Sequence, residues 1–199
     1  IGPGNPDYIV PAARRAIAEA KVLVGGSRAL AEFARTGQRT MTIKGDIPAV
    51  IAFIGEQLVS QDVVAMVSGD PGYFSLLDAL RRTFPSECLQ VIPGISAVQL
   101  AFSRLAMPWH EARLLSMHGR MPQMDVLRYE PGAVLGILTD AVHNSHSIPA
   151  LLLQLGWPAK TALFICERLS YEDERICSTT LQEAAAGPEI THCVLVVKA

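Results

Sequence analysis

Two stretches of the chain each carry an apolar run that ends in small, turn-forming residues and continues into a helical pattern. The first, residues 63–75, places the carboxylate of Asp70 at the end of the apolar run, and the second, residues 89–97, ends with Ser96 and Ala97. Ligands of open α/β sheets bind at such strand ends, because helices cover both faces and leave the carboxyl edge free. The two stretches therefore predict a small-molecule site.

The surroundings of Asp70 bear on the kind of ligand. A carboxylate suits a ligand with hydroxyl or cationic groups, and the neighbouring Gly69 and Gly72 allow the backbone to approach closely. An Asp70 that only caps the following helix is an equally open interpretation. The same holds for Ser96 and Ala97, which could be an ordinary N-cap and a small packing residue.

A phosphate-binding loop is not expected near the start of the chain. Gly2-Pro3-Gly4 is followed by neither the Lys of a Walker loop nor the third glycine of a dinucleotide fingerprint. Pro6 removes a backbone donor and Asp7 would repel phosphate. The expected ligand therefore lacks a phosphate cradle.

The second half of the chain carries further polar candidates. Leu138-Thr139-Asp140 repeats the strand-end pattern, and His118-Gly119-Arg120 could bind an acidic substrate or supply an acid–base group, a plain turn being the alternative. His143 and His146 have i, i+3 spacing, but no third ligand stands at matching spacing, so a helix start is favoured and no metal site is expected. The charges of residues 167–175 are typical of solvated ion pairs.

Composition limits the class of protein. Hydrophobic residues make up 50% of the 199 residues and charged residues 18%, which excludes a disordered chain. The net charge of −2 disfavours a nucleic-acid partner, since such proteins carry a basic excess. No apolar run approaches the roughly 18 residues that span a membrane, and no signal peptide is visible. Four scattered cysteines, without C-x-x-C spacing, predict reduced thiols in a cytoplasmic protein.

The periodicity predicts an α/β protein of two α/β domains, residues 1–107 and 108–199. In the first, strands alternate with helices, which predicts a parallel sheet: strands at 22–24, 40–43, 63–67 and 89–92, helices at 11–20, 28–35, 73–84 and 96–106. In the second, a mixed sheet is expected, because the last three strands carry only one short helix between them: strands near 113–116, 133–138, 161–166, 175–178 and 192–197, helices at 123–129, 147–155 and 181–186.

One further helix is expected after Asp46, which should cap it, as Ser27 should cap the helix at 28–35. An apolar stripe at helical spacing is predicted to be core: Ile47, Val50, Ile51, Ile54 and Leu58.

Taken in order, the motifs resemble the tetrapyrrole methylase family over nearly the whole chain. The segments that carry the resemblance are Gly2-Pro3-Gly4-Asn5-Pro6, Val24-Gly25, Ser68-Gly69-Asp70-Pro71-Gly72-Tyr73 and Pro93-Gly94-Ile95-Ser96-Ala97-Val98-Gln99. Three more segments resemble its corrin C5-methylating branch: Ser116-Met117-His118-Gly119-Arg120, Leu138-Thr139-Asp140, and residues 166–176. The resemblance implies a methyltransferase that uses S-adenosylmethionine (SAM) and acts at C5 of a corrin-ring precursor in cobalamin biosynthesis.

The resemblance also implies where ligands bind. SAM would lie in a cleft between the two domains of a homodimer subunit. Its expected contacts are Pro3, Gly69, Asp70, Ser96, Ala97, Leu138, Thr139 and Leu169. Gly4 would face the macrocycle, and no phosphate cradle is needed because SAM is a sulfonium cation.

The substrate carries several acetate and propionate groups, for which guanidinium is a good partner. Arg28, Arg120 and Arg168 are the candidates for holding these carboxylates, and His118 or Asp140 could take a proton during transfer. Another tetrapyrrole, an RNA acceptor or a non-catalytic SAM-binding module are the alternatives. A fused C15-methylating domain in a longer polypeptide is compatible with the sequence.

Overall fold

The structure, a computed structural model, describes residues 1–199. The chain separates into two compact units, residues 1–96 and 97–199, and each is described by itself. This division differs from the expected boundary at residue 107, because the helix over residues 97–104 packs on strands of the second unit. No helix is long and apolar enough to cross a membrane.

The first unit contains the predicted parallel sheet with helices on its two faces, but with three strands rather than the four expected. The strands pair in the order β2-β1-β3. Their bounds are β1 Val22–Gly25, β2 Arg39–Thr42 and β3 Val63–Met66. The helices are α1 Pro11–Glu19, α2 Ser27–Phe33, α3 Ile47–Leu58 and α4 Leu77–Thr83, with 3-10 turns at Pro6–Tyr8 and Ser86–Cys88.

The central strand β1 explains how this sheet is covered. Successive side chains of a strand point to opposite faces, and Leu23 accordingly packs with Ile17 and Leu30 of α1 and α2. Its neighbour Val24 packs with Val50 and Ile54 of α3 on the other face. All four residues of β1 are buried, which is typical of a parallel strand between helices.

The expected strand at 89–92 is wrong. Residues 89–92 are not hydrogen-bonded to any strand, and Val91 is 46% exposed. A cavity of about 700 Å³ is lined both by β3 and by residues 88–92. An apolar, β-branched run favours extended backbone, but it becomes a strand only where a neighbouring strand supplies hydrogen-bond partners.

The helix expected at 73–84 begins later, at Leu77. The Tyr73 N–H closes a turn on the Asp70 carbonyl at 3.2 Å, and Phe74 has a left-handed φ of 50°. A left-handed residue cannot be part of a right-handed helix, so the loop after β3 extends to the start of α4.

The two predicted helix caps have different outcomes. Asp46 caps α3 as predicted, because its Oδ1 accepts the Ala49 N–H at 3.0 Å. The Ser27 cap is wrong, since Ser27 is the first residue of α2 and Gly26 precedes it without a side-chain cap bond.

The predicted apolar stripe of α3 is correct in part. Val50 and Ile54 are buried, whereas Leu58 is 37% exposed and Gln57 is buried in its place. At about 100° per residue, position 57 lies about 20° from position 50 around the helix axis and position 58 about 80°. The buried stripe therefore ends at Gln57 rather than at Leu58.

The second unit contains the predicted mixed sheet. Its strands pair in the order β4-β5-β8-β6-β7, in which β4 and β5 are parallel and the other pairs are antiparallel. The bounds are β4 Arg113–Ser116, β5 Val134–Leu138, β6 Ala162–Glu167, β7 Arg175–Thr180 and β8 Cys193–Lys198. The helices are α5 Ala97–Arg104, α6 Ser147–Gln154 and α7 Leu181–Ala185.

The helix expected at 123–129 is a short 3-10 helix, Met124–Leu127. The Trp157 indole Nε1–H donates to the Leu127 carbonyl at 2.7 Å, and prolines stand close on both sides of the segment. In an α-helix the Leu127 carbonyl would accept the N–H of residue 131, but Pro131 has none, and Trp157 supplies the donor instead.

Strand directions in the second unit bring three loops to one sheet edge. β5 and β6 both run antiparallel to β8, and β4 runs parallel to β5. The carboxyl ends of β4, β5 and β6 therefore share one edge. The loops that leave this edge contain His118, Arg120, Asp140, Arg168 and Leu169.

Candidate functional site

The N-terminal loop of the first unit is held against the loop that follows β3. The Gly69 N–H donates to the Gly2 carbonyl at 2.8 Å, and the Ile1 nitrogen donates to the Val67 carbonyl at 3.0 Å. These bonds place Pro3, which follows Gly2, beside the turn that contains Asp70.

Asp70 joins the two strand-end loops that the sequence analysis singled out. Its Oδ1 accepts the Gly72 N–H at 2.8 Å, and its Oδ2 accepts the Gly94 N–H at 3.0 Å. The carboxylate does not cap α4, which begins at Leu77. A carboxylate offers about four acceptor sites, so Asp70 keeps capacity for hydroxyl or amine groups of a ligand.

The two loops touch through glycine backbone. A Cβ on Gly94 would lie 2.4 Å from the Gly69 carbonyl oxygen, a distance that real Cβ atoms do not show. Gly69 itself has φ +67°, and a Cβ there would meet the Cα of Ser96 at 3.3 Å. The first unit thus brings Gly69, Asp70 and buried Ser96 together.

Arg28 and Gly4 are the two substrate-binding candidates of the first unit. Arg28 is exposed in the first turn of α2, which follows the carboxyl end of β1. Gly4 is half-buried beside Pro3 in the N-terminal loop. Their roles toward a substrate stay predictions.

Asp140 of the second unit is an acceptor for three backbone N–H groups. Its Oδ2 accepts from Gly119 at 2.7 Å, and its Oδ1 accepts from Val142 at 2.8 Å and His143 at 2.6 Å. These bonds, that from Gly119 first, hold the pKa of Asp140 well below its usual value. A carboxylate stabilised in this way is a poor proton acceptor.

His118 has a geometry better suited to accept a proton. Its Nδ1 lies 2.9 Å from the Thr139 carbonyl oxygen, which can only accept a hydrogen bond. The neutral ring must therefore carry its proton on Nδ1, and Nε2 is the acceptor nitrogen. The side chain is exposed at the shared sheet edge.

The two histidines considered as metal ligands do not share a helix face. His143 lies in the loop with its Nδ1 3.0 Å from the Met117 carbonyl, and His146 precedes α6 with its Nδ1 3.3 Å from the Gly187 carbonyl. No three His, Cys, Asp or Glu side chains come together in a geometry that could hold a metal ion.

The Thr139 side chain is turned into the sheet. Its Oγ1 donates to the Cys193 carbonyl at 2.7 Å and accepts the Cys193 N–H at 3.2 Å, and the residue is buried. A ligand contact at Thr139 would therefore use its backbone. Leu138 is half-buried, and its carbonyl accepts the Met117 N–H at 2.9 Å.

The loop after β6 contains the ion pairs expected from its charges. Arg168 Nε lies 2.5 Å from Asp173 Oδ2, and its guanidinium stands 5.0 Å from the centre of the Tyr171 ring. Leu169, between Arg168 and Ser170, is buried. Because Arg168 has a carboxylate partner, a substrate carboxylate would have to compete for it. Arg120, in the loop after β4, is exposed, as Arg168 is.

Sequence reasoning missed Glu174 as a residue that organises this loop. It accepts the Ser170 N–H at 2.7 Å and pairs with Arg104 at 2.6 Å. The partners are 70 residues apart in the chain, and no local pattern signals such a contact.

Comparison with known proteins identifies the family. The sequence profile described as Tetrapyrrole (Corrin/Porphyrin) Methylases matches residues 1–185. The chain belongs to the tetrapyrrole methylase family. The resemblance drawn from its motifs is confirmed.

Two curated relatives narrow the comparison. This tetrapyrrole methylase is 32% identical over 195 residues to the cobalt-precorrin-7 C(5)-methyltransferase of Salmonella typhimurium, covering 98% of the chain and 95% of the relative. It is also 32% identical over 168 residues to the decarboxylating precorrin-6Y C(5,15)-methyltransferase of a Sinorhizobium species, covering 82% of the chain and 40% of that longer protein.

Solved structures agree on the fold. The precorrin-6Y methylase of Archaeoglobus fulgidus superposes with a TM-score of 0.73 at 24% identity, over 99% of this chain and 94% of that one. The uroporphyrin-III C-methyltransferase of Thermus thermophilus complexed with S-adenosylhomocysteine has a TM-score of 0.73 at 22% identity, over 98% and 88%. The expected α/β architecture of the family is thereby confirmed.

Proposed function

We propose that this chain transfers a methyl group from SAM to C5 of a corrin-ring precursor of the precorrin-6Y or precorrin-7 type, in cobalamin biosynthesis. The observation that carries the proposal is the 32% identity to the Salmonella C(5)-methyltransferase over 98% of this chain and 95% of that enzyme. A relative named for the same ring carbon, from Sinorhizobium, supports it.

The first unit fits the methyl donor chemically. SAM has ribose hydroxyls and a cationic centre but no phosphate, and the loops around Asp70 offer a carboxylate with spare acceptor sites and close-approaching glycine backbone. Pro3, Gly69, Asp70 and Ser96 are the proposed contacts in this unit.

The second unit supplies the remaining proposed donor contacts, Ala97, Leu138, Thr139 and Leu169. At Thr139 the contact would be made by backbone, because the Thr139 hydroxyl is bonded to Cys193. Leu169 would offer its apolar side chain.

SAM supplies an electrophilic methyl group, so the protein needs no covalent intermediate. Its residues have to align donor and ring carbon, at reacting distances of about 3–3.5 Å, and exclude water. Arg28, Arg120 and Arg168 would hold the acetate and propionate groups, with Gly4 facing the macrocycle. His118 would accept a proton through Nε2, whose ring partner Nδ1 faces the Thr139 carbonyl, and Asp140 would hold the Gly119 N–H.

The decisive experiment locates the new methyl group. The protein is incubated with SAM carrying a 13C-labelled methyl and, in parallel, with the corrin precursor with and without cobalt, uroporphyrinogen III, and RNA. NMR and mass spectrometry should place the label at C5 of a corrin. Transfer to another acceptor, or tight SAM binding without transfer, would contradict the proposal.

The role of Asp70 is tested separately by calorimetric SAM titration. Asp70→Ala should weaken SAM binding in protein that remains folded, and Asp70→Asn, which keeps one acceptor oxygen, should weaken it less. Asp78→Ala, the same change at an exposed residue of α4, is the matched control. Unchanged affinity in both Asp70 variants would remove this residue from the donor site.

The role of Arg120 is tested through the substrate. Arg120→Ala should raise KM for the corrin precursor while the Kd for SAM is retained, because an exposed guanidinium at the sheet edge would pair with substrate carboxylates. Arg128→Ala is the control, since Arg128 is also exposed but lies next to Arg113 at the amino end of β4. Loss of SAM affinity without a change in KM for the corrin would contradict this role.

We also propose that the protein is a homodimer and works in the cytoplasm. The outer strand β7 exposes Arg175–Ser178 and could pair with a second copy. The four cysteines are free thiols, which suits a reducing compartment. Light scattering after size exclusion tests the homodimer, and fractionation of the source cells tests the cytoplasmic location.

The C15 chemistry of the longer Sinorhizobium relative would need a domain outside these residues.

A further inference from the structure

The loop between β6 and β7 holds an unusual backbone conformation around Leu169. Arg168 and Ser170, on either side of it, have left-handed φ values of 48° and 75°. Residues with a side chain rarely adopt this region, and such conformations persist only where surrounding interactions enforce them. Leu169 is 5% exposed between them.

Glu174 enforces the conformation at Ser170. Its Oε2 accepts the Ser170 N–H at 2.7 Å, and its Oε1 accepts from Arg104 Nε at 2.6 Å. A second nitrogen of Arg104, Nη2, lies 3.4 Å from Oε2. One carboxylate therefore bonds both the loop and the last residue of α5.

The charge of Glu174 is secured by the same bonds. Partial burial alone would raise the pKa of Glu174, but the hydrogen bonds from Arg104 and from the Ser170 N–H hold it below its usual value. The carboxylate is thus ionised at neutral pH and only 18% exposed.

Through Arg104, Glu174 also connects the loop to helix α5. α5 begins at Ala97, one of the proposed donor contacts, and packs on β5 and β8. Through Arg104 at its end, the same rigid helix anchors the loop of Leu169, another proposed donor contact. The two contacts are therefore linked by one helix and one ion pair.

We propose that Arg104 and Glu174 are positioning residues that fix the Leu169 loop to α5 in the conformation that binds SAM. The inference rests on the proposed function, because Ala97 and Leu169 are donor contacts only if that function is correct. Neither Arg104 nor Glu174 is proposed to touch the donor or the substrate.

The main variant is Glu174→Gln, which removes the charge and leaves only one acceptor oxygen for two donors. Calorimetry with S-adenosylhomocysteine should show binding weakened about three- to tenfold, as expected for the loss of a charge-assisted hydrogen bond that orders the loop. KM for SAM should rise while kcat is largely retained, a split that follows from a role in binding alone.

The matched control is Glu130→Gln. Glu130 also forms an ion pair with an arginine, Arg113, in the same unit, but at the amino end of β4. Its substitution should leave the Kd for S-adenosylhomocysteine within about twofold, as is usual for an exposed ion pair.

A double-mutant cycle tests whether the two residues act together. Arg104→Gln should weaken the binding of S-adenosylhomocysteine, and Arg104→Lys should weaken it less. The double variant Arg104→Gln/Glu174→Gln should bind no more weakly than the single variant with the higher Kd, because the two residues form one connection. Additive losses would contradict a shared role.

Hydrogen exchange separates failure of this inference from failure of the proposed function. In Glu174→Gln the Ser170 amide should exchange faster, whether or not SAM binds. If the wild-type protein binds neither SAM nor S-adenosylhomocysteine, the proposed function is wrong. If the wild type binds them and Glu174→Gln exchanges faster at Ser170 with unchanged Kd and KM, the positioning role is overturned.

Discussion

Replacing Gly94 by alanine tests the contact between the two glycine loops of the first unit. The added Cβ would lie 2.4 Å from the Gly69 carbonyl oxygen, whereas real Cβ contacts essentially never fall under 3.0 Å. The loops must therefore separate by at least 0.6 Å, the difference between these distances. The Gly69 side cannot yield freely, because its N–H is bonded to Gly2.

The expected cost can be worked from this geometry. Overpacking typically costs about 1–3 kcal/mol, and separating the loops also stretches the bond from the Gly94 N–H to Asp70, worth about 1.5–3 kcal/mol for a charged acceptor. Alanine also lowers the conformational entropy of the unfolded chain, which stabilises the folded state by about 0.4–1 kcal/mol. Gly94→Ala should thus lower the free energy of unfolding by about 1.5–5.5 kcal/mol.

Urea denaturation of the wild type, Gly94→Ala and Gly26→Ala measures this. A Cβ on Gly26 meets no atom within 4 Å, and Gly26 precedes α2 with an ordinary negative φ. Alanine is a poorer N-cap than glycine by about 1 kcal/mol, and its entropy gain of about 0.4–1 kcal/mol opposes this loss, so the control should change stability by less than about 1 kcal/mol. SAM titration of the folded variants should show weaker binding only for Gly94→Ala. Equal stability and equal SAM affinity of the two variants would refute the packing of these loops.

Three further predictions concern side-chain hydrogen bonds of the second unit. Thr139→Val should lower the free energy of unfolding by about 1–3 kcal/mol, because the buried Cys193 N–H loses its acceptor; equal urea midpoints would contradict this. Trp157→Phe should cost about 1–2 kcal/mol, since the Leu127 carbonyl loses a buried donor, and the same titration measures it. The pKa of Asp140 is lowered on folding, so its stabilisation is present above the unfolded value of about 3.9 and is lost as the pH falls below it. Asp140→Asn should therefore be less stable than the wild type at pH 7 by a margin that shrinks at pH 3, and a constant margin would contradict the assignment.

The hydrophobic periodicity of the sequence predicted the strands of the second unit well, because such a pattern depends only on residues that are close in the chain. β4 lies at the predicted residues 113–116, and the other four strands of the mixed sheet lie within two residues of their expected bounds. β5 and β8 are largely apolar runs, a pattern that is visible in a short window, whereas β7 is polar and mostly exposed.

Pairing between distant segments was less predictable. Residues 89–92 have the composition of a strand but no partner, and Phe74 adopts a left-handed conformation that delays the start of α4. Both features are decided by the way loops fit together rather than by local preference. The contact between Arg104 and Glu174 is of the same kind, because two solvated-looking charges became one connection only through the fold.

The two strand-end aspartates show why site residues were harder to assign than strands. Asp70 bonds Gly72 in its own loop and Gly94 in the loop of another segment, and Asp140 bonds His143 in its own loop and Gly119 in the loop after β4. Each carboxylate therefore holds a neighbouring glycine loop in place. An aspartate that holds a loop and an aspartate that binds a ligand can stand at the same position after a strand, so the sequence alone does not distinguish them.

The number of donors distinguishes the two roles. Asp140 accepts three backbone N–H groups, and its lowered pKa reflects how fully these bonds stabilise the anion. Asp70 accepts two, which leaves it more of a carboxylate's roughly four acceptor sites. Of the two, Asp70 thus has more capacity to accept hydroxyl groups of a ligand while it holds its loops, whereas Asp140 holds the loop that carries His118 and Arg120.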